Sequence, residues 1–115
     1  MLNTARIDEI NAEIRKIQIE QEETEELIKK LLQEEDKICE ELRSSLSGIG
    51  SEFEDCNENQ RLTALVEGRF NMLISAERAS GELIEDLHET RKKVEITCKE
   101  DIEALERELL LLSEV

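Results

Sequence analysis

Proline, tryptophan and tyrosine are absent from this 115-residue chain, and it has only two phenylalanines and one histidine. A compact globular core draws its bulk from aromatic side chains, and almost none are here. Without proline, nothing in the sequence forces a long helix to stop. There is no run of about 20 apolar residues such as a bilayer span needs. The longest, Leu109 to Leu112, is far shorter. The N-terminal residues lack the basic-then-apolar pattern of a signal peptide. Basic residues are also in short supply. Fifteen Lys and Arg stand against thirty Asp and Glu, leaving a net charge of −15. A chain so acidic is a poor ligand for nucleic-acid phosphates or an anionic membrane surface. Its three cysteines, Cys39, Cys56 and Cys98, form no CxxC pair and no disulfide framework. These features lead us to expect one cytoplasmic domain spanning residues 1–115, rich in helix-favouring Leu, Glu, Lys and Ala.

What is present is a spacing. Steps of three and four from Ile7 reach Ile10, Ile14, Ile17, Gln21, Thr24, Ile28, Leu31, Glu35, Ile38, Leu42, Ser45 and Ile49. Most of these are apolar, the signature of a coiled-coil seam. A helix over about 3–47 follows. Gly48 and Gly50 then read as a stop, since glycine suits the left-handed position after a helix end. Ser51-Glu52-Phe53-Glu54 reads as a capping box that starts a second helix. The expected turn is 48–51, after Leu46, and the second helix covers about 52–113. Its alternation runs from Leu62 through Val66, Phe70, Leu73, Glu77, Ser80, Ile84, Leu87, Arg91, Val94, Cys98, Asp101, Leu105, Glu108 and Leu112. Leu65, Ala76, Leu83, Ile102 and Leu109 broaden that stripe, as in a helix that touches more than one neighbour. Cys56 to Arg61 is polar and reads as an irregular start.

The fold class is therefore all-α, an antiparallel two-helix hairpin resembling a coiled coil, with the second helix longer than the first. Folding about residues 49 and 50 sets Cys39 opposite about Gln60 and Cys56 opposite about Arg43. It also sets the Glu-rich stretch 20–26 opposite the small residues of 75–81. Beyond Cys98 the second helix then has no hairpin neighbour. Ile102, Leu105, Leu109 and Leu112 in that overhang, with Phe70 and Leu73, become the expected partner-binding residues. Leu46, Gly48, Gly50 and Ser51 are the expected turn residues.

Chemistry is hard to find. Glu85-Asp86-Leu87-His88 has the Glu-x-x-His spacing of di-iron bundles, but those sites need the motif twice, and His88 is the sole histidine. There is no nucleophile–base constellation, phosphate-cradling loop or calcium loop. We expect no enzyme, metal or cofactor.

A small acidic hairpin with this turn resembles the WXG100-type proteins of type VII secretion. Leu46-Ser47-Gly48 stands where that family has Trp-x-Gly. Within it the chain is most similar to the small helical partners encoded beside LXG toxins. The family's export signal, an aromatic residue followed four positions later by an acid, is missing: Phe53 is followed by Asn57 and Phe70 by Ile74. The resemblance implies a targeting factor or chaperone that binds a toxin's helical N-terminal domain. A sister hairpin would supply the signal, and the chain would be co-exported with its partner. The alternative is a structural or adaptor coiled coil that homodimerises.

Overall fold

The computed structural model describes residues 2–56 and 58–113. Two helices make up the fold: α1, Leu2–Cys56, and α2, Gln60–Ser113. They are nearly equal, at 55 and 54 residues. The architecture is the expected all-α antiparallel two-helix hairpin. It divides into two compact units. One pairs α1 up to Lys29 with α2 from His88 onward; the other is the continuous stretch Lys30–Leu87, which contains the turn.

The turn lies eight or so residues later than the glycines indicate (just over two helical turns). Gly48, Gly50 and Ser51 are all inside α1. The chain reverses after Cys56 instead. The Asn59 N–H donates to the Cys56 carbonyl at 3.0 Å. Asn59 then caps α2: its Oδ1 accepts from the Leu62 N–H at 3.0 Å, and its carbonyl accepts from the Thr63 N–H at 2.9 Å. Asparagine is among the best N-cap residues, because its side chain satisfies an otherwise orphaned N–H.

The reason α1 runs through its glycines is burial further on. Each glycine costs a helix interior about 0.5–1 kcal/mol relative to alanine. Beyond them the seam continues. Ile49 is 6% exposed and Cys56 8%, and Phe53 packs edge-on against Phe70 with ring centroids 6.3 Å apart. Burying an aliphatic or aromatic side chain stabilises by about 1.5–3 kcal/mol. Ile49 and Phe53 together outweigh the two glycines.

Moving the turn re-registers every pair. Cys39, expected opposite Gln60, meets Ser80, with Sγ and Oγ 3.2 Å apart. The three thiols are free. Near the helix ends, Arg6 Nε reaches Glu108 Oε1 at 2.9 Å. The residues beyond Cys98 therefore lie against α1, and the overhang does not exist among the described residues.

The seam also changes phase. In the first unit Ile7, Ile10, Ile14, Ile17, Gln21, Thr24 and Ile28 are buried or half-buried, as expected. In the second the stripe is Leu32, Glu35, Cys39, Leu42, Leu46, Ile49, Phe53 and Cys56. Leu31 and Ile38, assigned to the seam from spacing, are exposed at 39% and 42%. The step from Ile28 to Leu32 is four residues where three was expected, an insertion of the stutter type. On α2 the same one-residue shift replaces Leu62 by Thr63 and Asp101 by Ile102.

Candidate functional site: an exposed helix face

Three features of the units bear on function. The first is the polar cluster in the second unit's seam. Ser80, 6% exposed, is the buried polar residue among those described. Its hydroxyl donates to Glu35 Oε2 at 2.6 Å, and Cys39 Sγ lies 3.2 Å from the Ser80 Oγ itself. Serine is small enough to admit the carboxylate into a position that leucine would close. The cluster sets which residues of the two helices can face each other, as a polar group in an apolar seam does.

The second is the ion pair of the first unit. Arg6 also approaches Glu9, with Nη1 to Oε2 at 3.2 Å. The hydrogen bond from Arg6 holds the Glu108 carboxyl below the ordinary glutamate range, against a smaller opposing effect of burial and with the Arg6 charge adding to the lowering. The hydrogen bonds to Glu108 and then Glu9 raise the Arg6 guanidinium in turn. Burial pushes the Cys98 thiol up, with the charges of Asp101, Glu25 and Glu20 adding to it. The Glu-rich stretch thus faces Cys98 rather than the small residues 75–81.

A depressed carboxyl stabilises the fold above its unfolded value and ceases to do so as pH falls through its folded value. We expect Glu108→Gln to melt below wild type at neutral pH, with the gap closing as acid protonates the Glu108 carboxylate. Thermal melts by circular dichroism at neutral and acid pH check this. A gap that persists in acid would mean that packing, not charge, holds this contact.

The third feature is an exposed face. Leu62, Leu65, Met72 and Leu83 are 47%, 66%, 74% and 44% exposed. With Arg69, Ala76 and Ala79, also exposed, they follow a second three-and-four alternation on α2. Each stands one residue before a seam position. The salt bridge from Arg69 to Glu52, 2.6 Å long, shows where that row meets α1. Leu31 and Ile38 occupy the equivalent row of α1. The second unit therefore carries two seams about 100° apart on α2, one filled by α1 and one open.

The residues expected to bind a partner are elsewhere. Phe70, Leu73, Ile102, Leu105, Leu109 and Leu112 are all half-buried on the seam of their own units. In the leucine-rich end of α2 the exposed side chains are Leu110 and Leu111, at 64% and 66%. His88 is exposed. No group of three or more His, Cys, Asp and Glu side chains suited to a metal ion occurs among the described residues. Among the described residues no helix is long and apolar enough to cross a membrane. No family model, curated protein or solved structure matches the chain.

Proposed function

We propose that this chain is a non-catalytic protein-binding subunit that works by helix-on-helix recognition. The observation that carries the reading is the open second seam on α2. Large apolar side chains at heptad spacing gain nothing from water, and a helix laid along them buries them. The acidic remainder of the surface keeps such a complex soluble and draws a more basic partner toward it.

The finer reading rests on the resemblance to partners of LXG toxins. In it the chain is a targeting factor or chaperone that holds the helical N-terminal domain of a type VII secreted toxin, together with a sister hairpin. The half-buried Leu105 and Leu109 now serve the hairpin itself, so the client contact moves to Leu110 and Leu111. Co-expression with the helical N-terminal domain of an LXG toxin from the same genome tests this. Affinity capture should recover the leader with the wild-type chain and lose it with Leu110→Asp/Leu111→Asp. No capture by the wild-type chain would remove the targeting-factor reading and leave the structural coiled coil.

A further inference from the structure

We propose that the extra residue in the α1 seam has two seats, and that its passage between them turns the α1 row of the docking face inward. In the structure it lies between Ile28 and Leu32. The second seat lies between Leu42 and Leu46. This rests on the helix-docking reading and supplies the regulation of that same face.

Spacing is the first argument. The observed seam runs Ile28, Leu32, Glu35, Cys39, Leu42 and Leu46. A second path with the same ends runs Ile28, Leu31, Glu35, Ile38, Leu42 and Leu46. Each path contains one stutter, the first before Leu32 and the second before Leu46. Neither slides α1 along α2. They differ only in whether Leu32 and Cys39, or Leu31 and Ile38, face the partner helix. A rotation of α1 by roughly half the 100° between neighbouring residues exchanges them.

Packing is the second argument. Leu31 and Ile38 are 39% and 42% exposed, so each is already more than half covered and stands at the edge of the seam. Leu31 replaces Leu32 like for like. Ile38 brings a larger aliphatic group than Cys39, against loss of the 3.2 Å contact from Cys39 to Ser80. The hydrogen bond from Ser80 to Glu35 joins residues that face the seam in both arrangements. At the second seat Ser45 and Leu46 are both half-buried, so α1 already presents two adjacent residues there. Past Leu46 the frame is fixed, because the other choice would set Glu52 in the place of Phe53, which packs on Phe70. With the stutter at the first seat, Leu31 and Ile38 extend the open row. At the second they are covered, and Leu32 and Cys39 turn outward on the other flank. A helix docked on the open row holds the stutter at the first seat.

Alkylation of the three native thiols by iodoacetamide, followed by peptide mass mapping, reads the seat, because Cys39 is turned outward only at the second. Helix rearrangements of this kind are much faster than alkylation, so the rate reports a population. Leu31→Gln disfavours the second seat and should slow Cys39 roughly three- to tenfold, the scale of burying part of an aliphatic side chain. Leu32→Gln disfavours the first seat and should speed Cys39 relative to Cys56 and Cys98. Leu31 lies about two helical turns from Cys39, so in a fixed seam its replacement would leave that thiol's rate unchanged, and such a result would overturn the proposal. So would a Leu32→Gln acceleration shared equally by all three thiols, which would report opening of the whole hairpin. No partner enters these measurements, so failure here is separable from failure of the docking reading.

Discussion

Ile49→Ala is expected to cost about 2–4 kcal/mol, within the range for emptying a buried aliphatic site. Ile49 lies between two glycines, where a turn would leave its side chain in water and make the substitution nearly silent. In the structure it is 6% exposed and sits on the seam four residues before Phe53. Losing it removes a packed side chain from the segment that already bears two glycines. The segment then has less burial to offset its backbone entropy. Urea denaturation of wild type and variant measures the loss. A change below about 0.5 kcal/mol, the level of an ordinary surface substitution, would mean that α1 does not continue through Gly48 and Gly50. Total stability for a domain of this size is about 5–15 kcal/mol, so the expected cost is a large fraction of it.

Ser80→Ala is expected to cost about 1–3 kcal/mol, although it removes a single oxygen. The hydroxyl donates to Glu35 at 2.6 Å, and Glu35 is itself half-buried on the seam. Deleting the donor leaves a partly dehydrated carboxylate without its closest partner. Removing both groups reverses the sign of the argument. In Glu35→Leu/Ser80→Ala the site is apolar throughout, and its stability should return to wild type or exceed it, because apolar replacement of a buried polar pair is often neutral or better. A double-mutant cycle by urea denaturation gives the coupling directly. Additive single and double effects would show that serine is there for its size alone. If the double variant regains stability but populates more than one pairing, the cluster specifies register.

The spacing of isoleucine and leucine carried the two helices and their antiparallel packing, since seam periodicity is a property of many residues at once. The turn was illegible for a local reason. Gly48, Gly50 and the Ser51–Glu54 pattern satisfy every rule for a break, while the working cap at Asn59 is followed three residues later by Leu62, not an acid. The polar stretch from Cys56 to Arg61 did show as irregular, but a rule that weighs glycine above burial passes over it. Seam phase was ambiguous where apolar residues come side by side. Leu31-Leu32 and Ile38-Cys39 each offer two candidates, and only packing against α2 decides between them. The open face was half legible: Leu65, Ala76 and Leu83 broadened the stripe and pointed to a second neighbour. Its full row, including Leu62 and Met72, required knowing which residues α1 covers.

The division into two units has a consequence for the order in which the molecule assembles. The second unit, Lys30–Leu87, is continuous in sequence and closed by the short turn at Asn59. Its segments meet after a minimal search. The first unit brings together chain segments that the whole second unit separates. Joining them across an unformed chain costs loop-closure entropy on the order of 3–4 kcal/mol for a loop of that length. Once the turn-bearing unit has formed, that cost has already been met, and the remaining pairs close in succession like a zipper, from Ile28 toward Arg6. Opening follows the reverse path, so the Arg6–Glu108 end is the first part of the hairpin to exchange its amide protons with solvent.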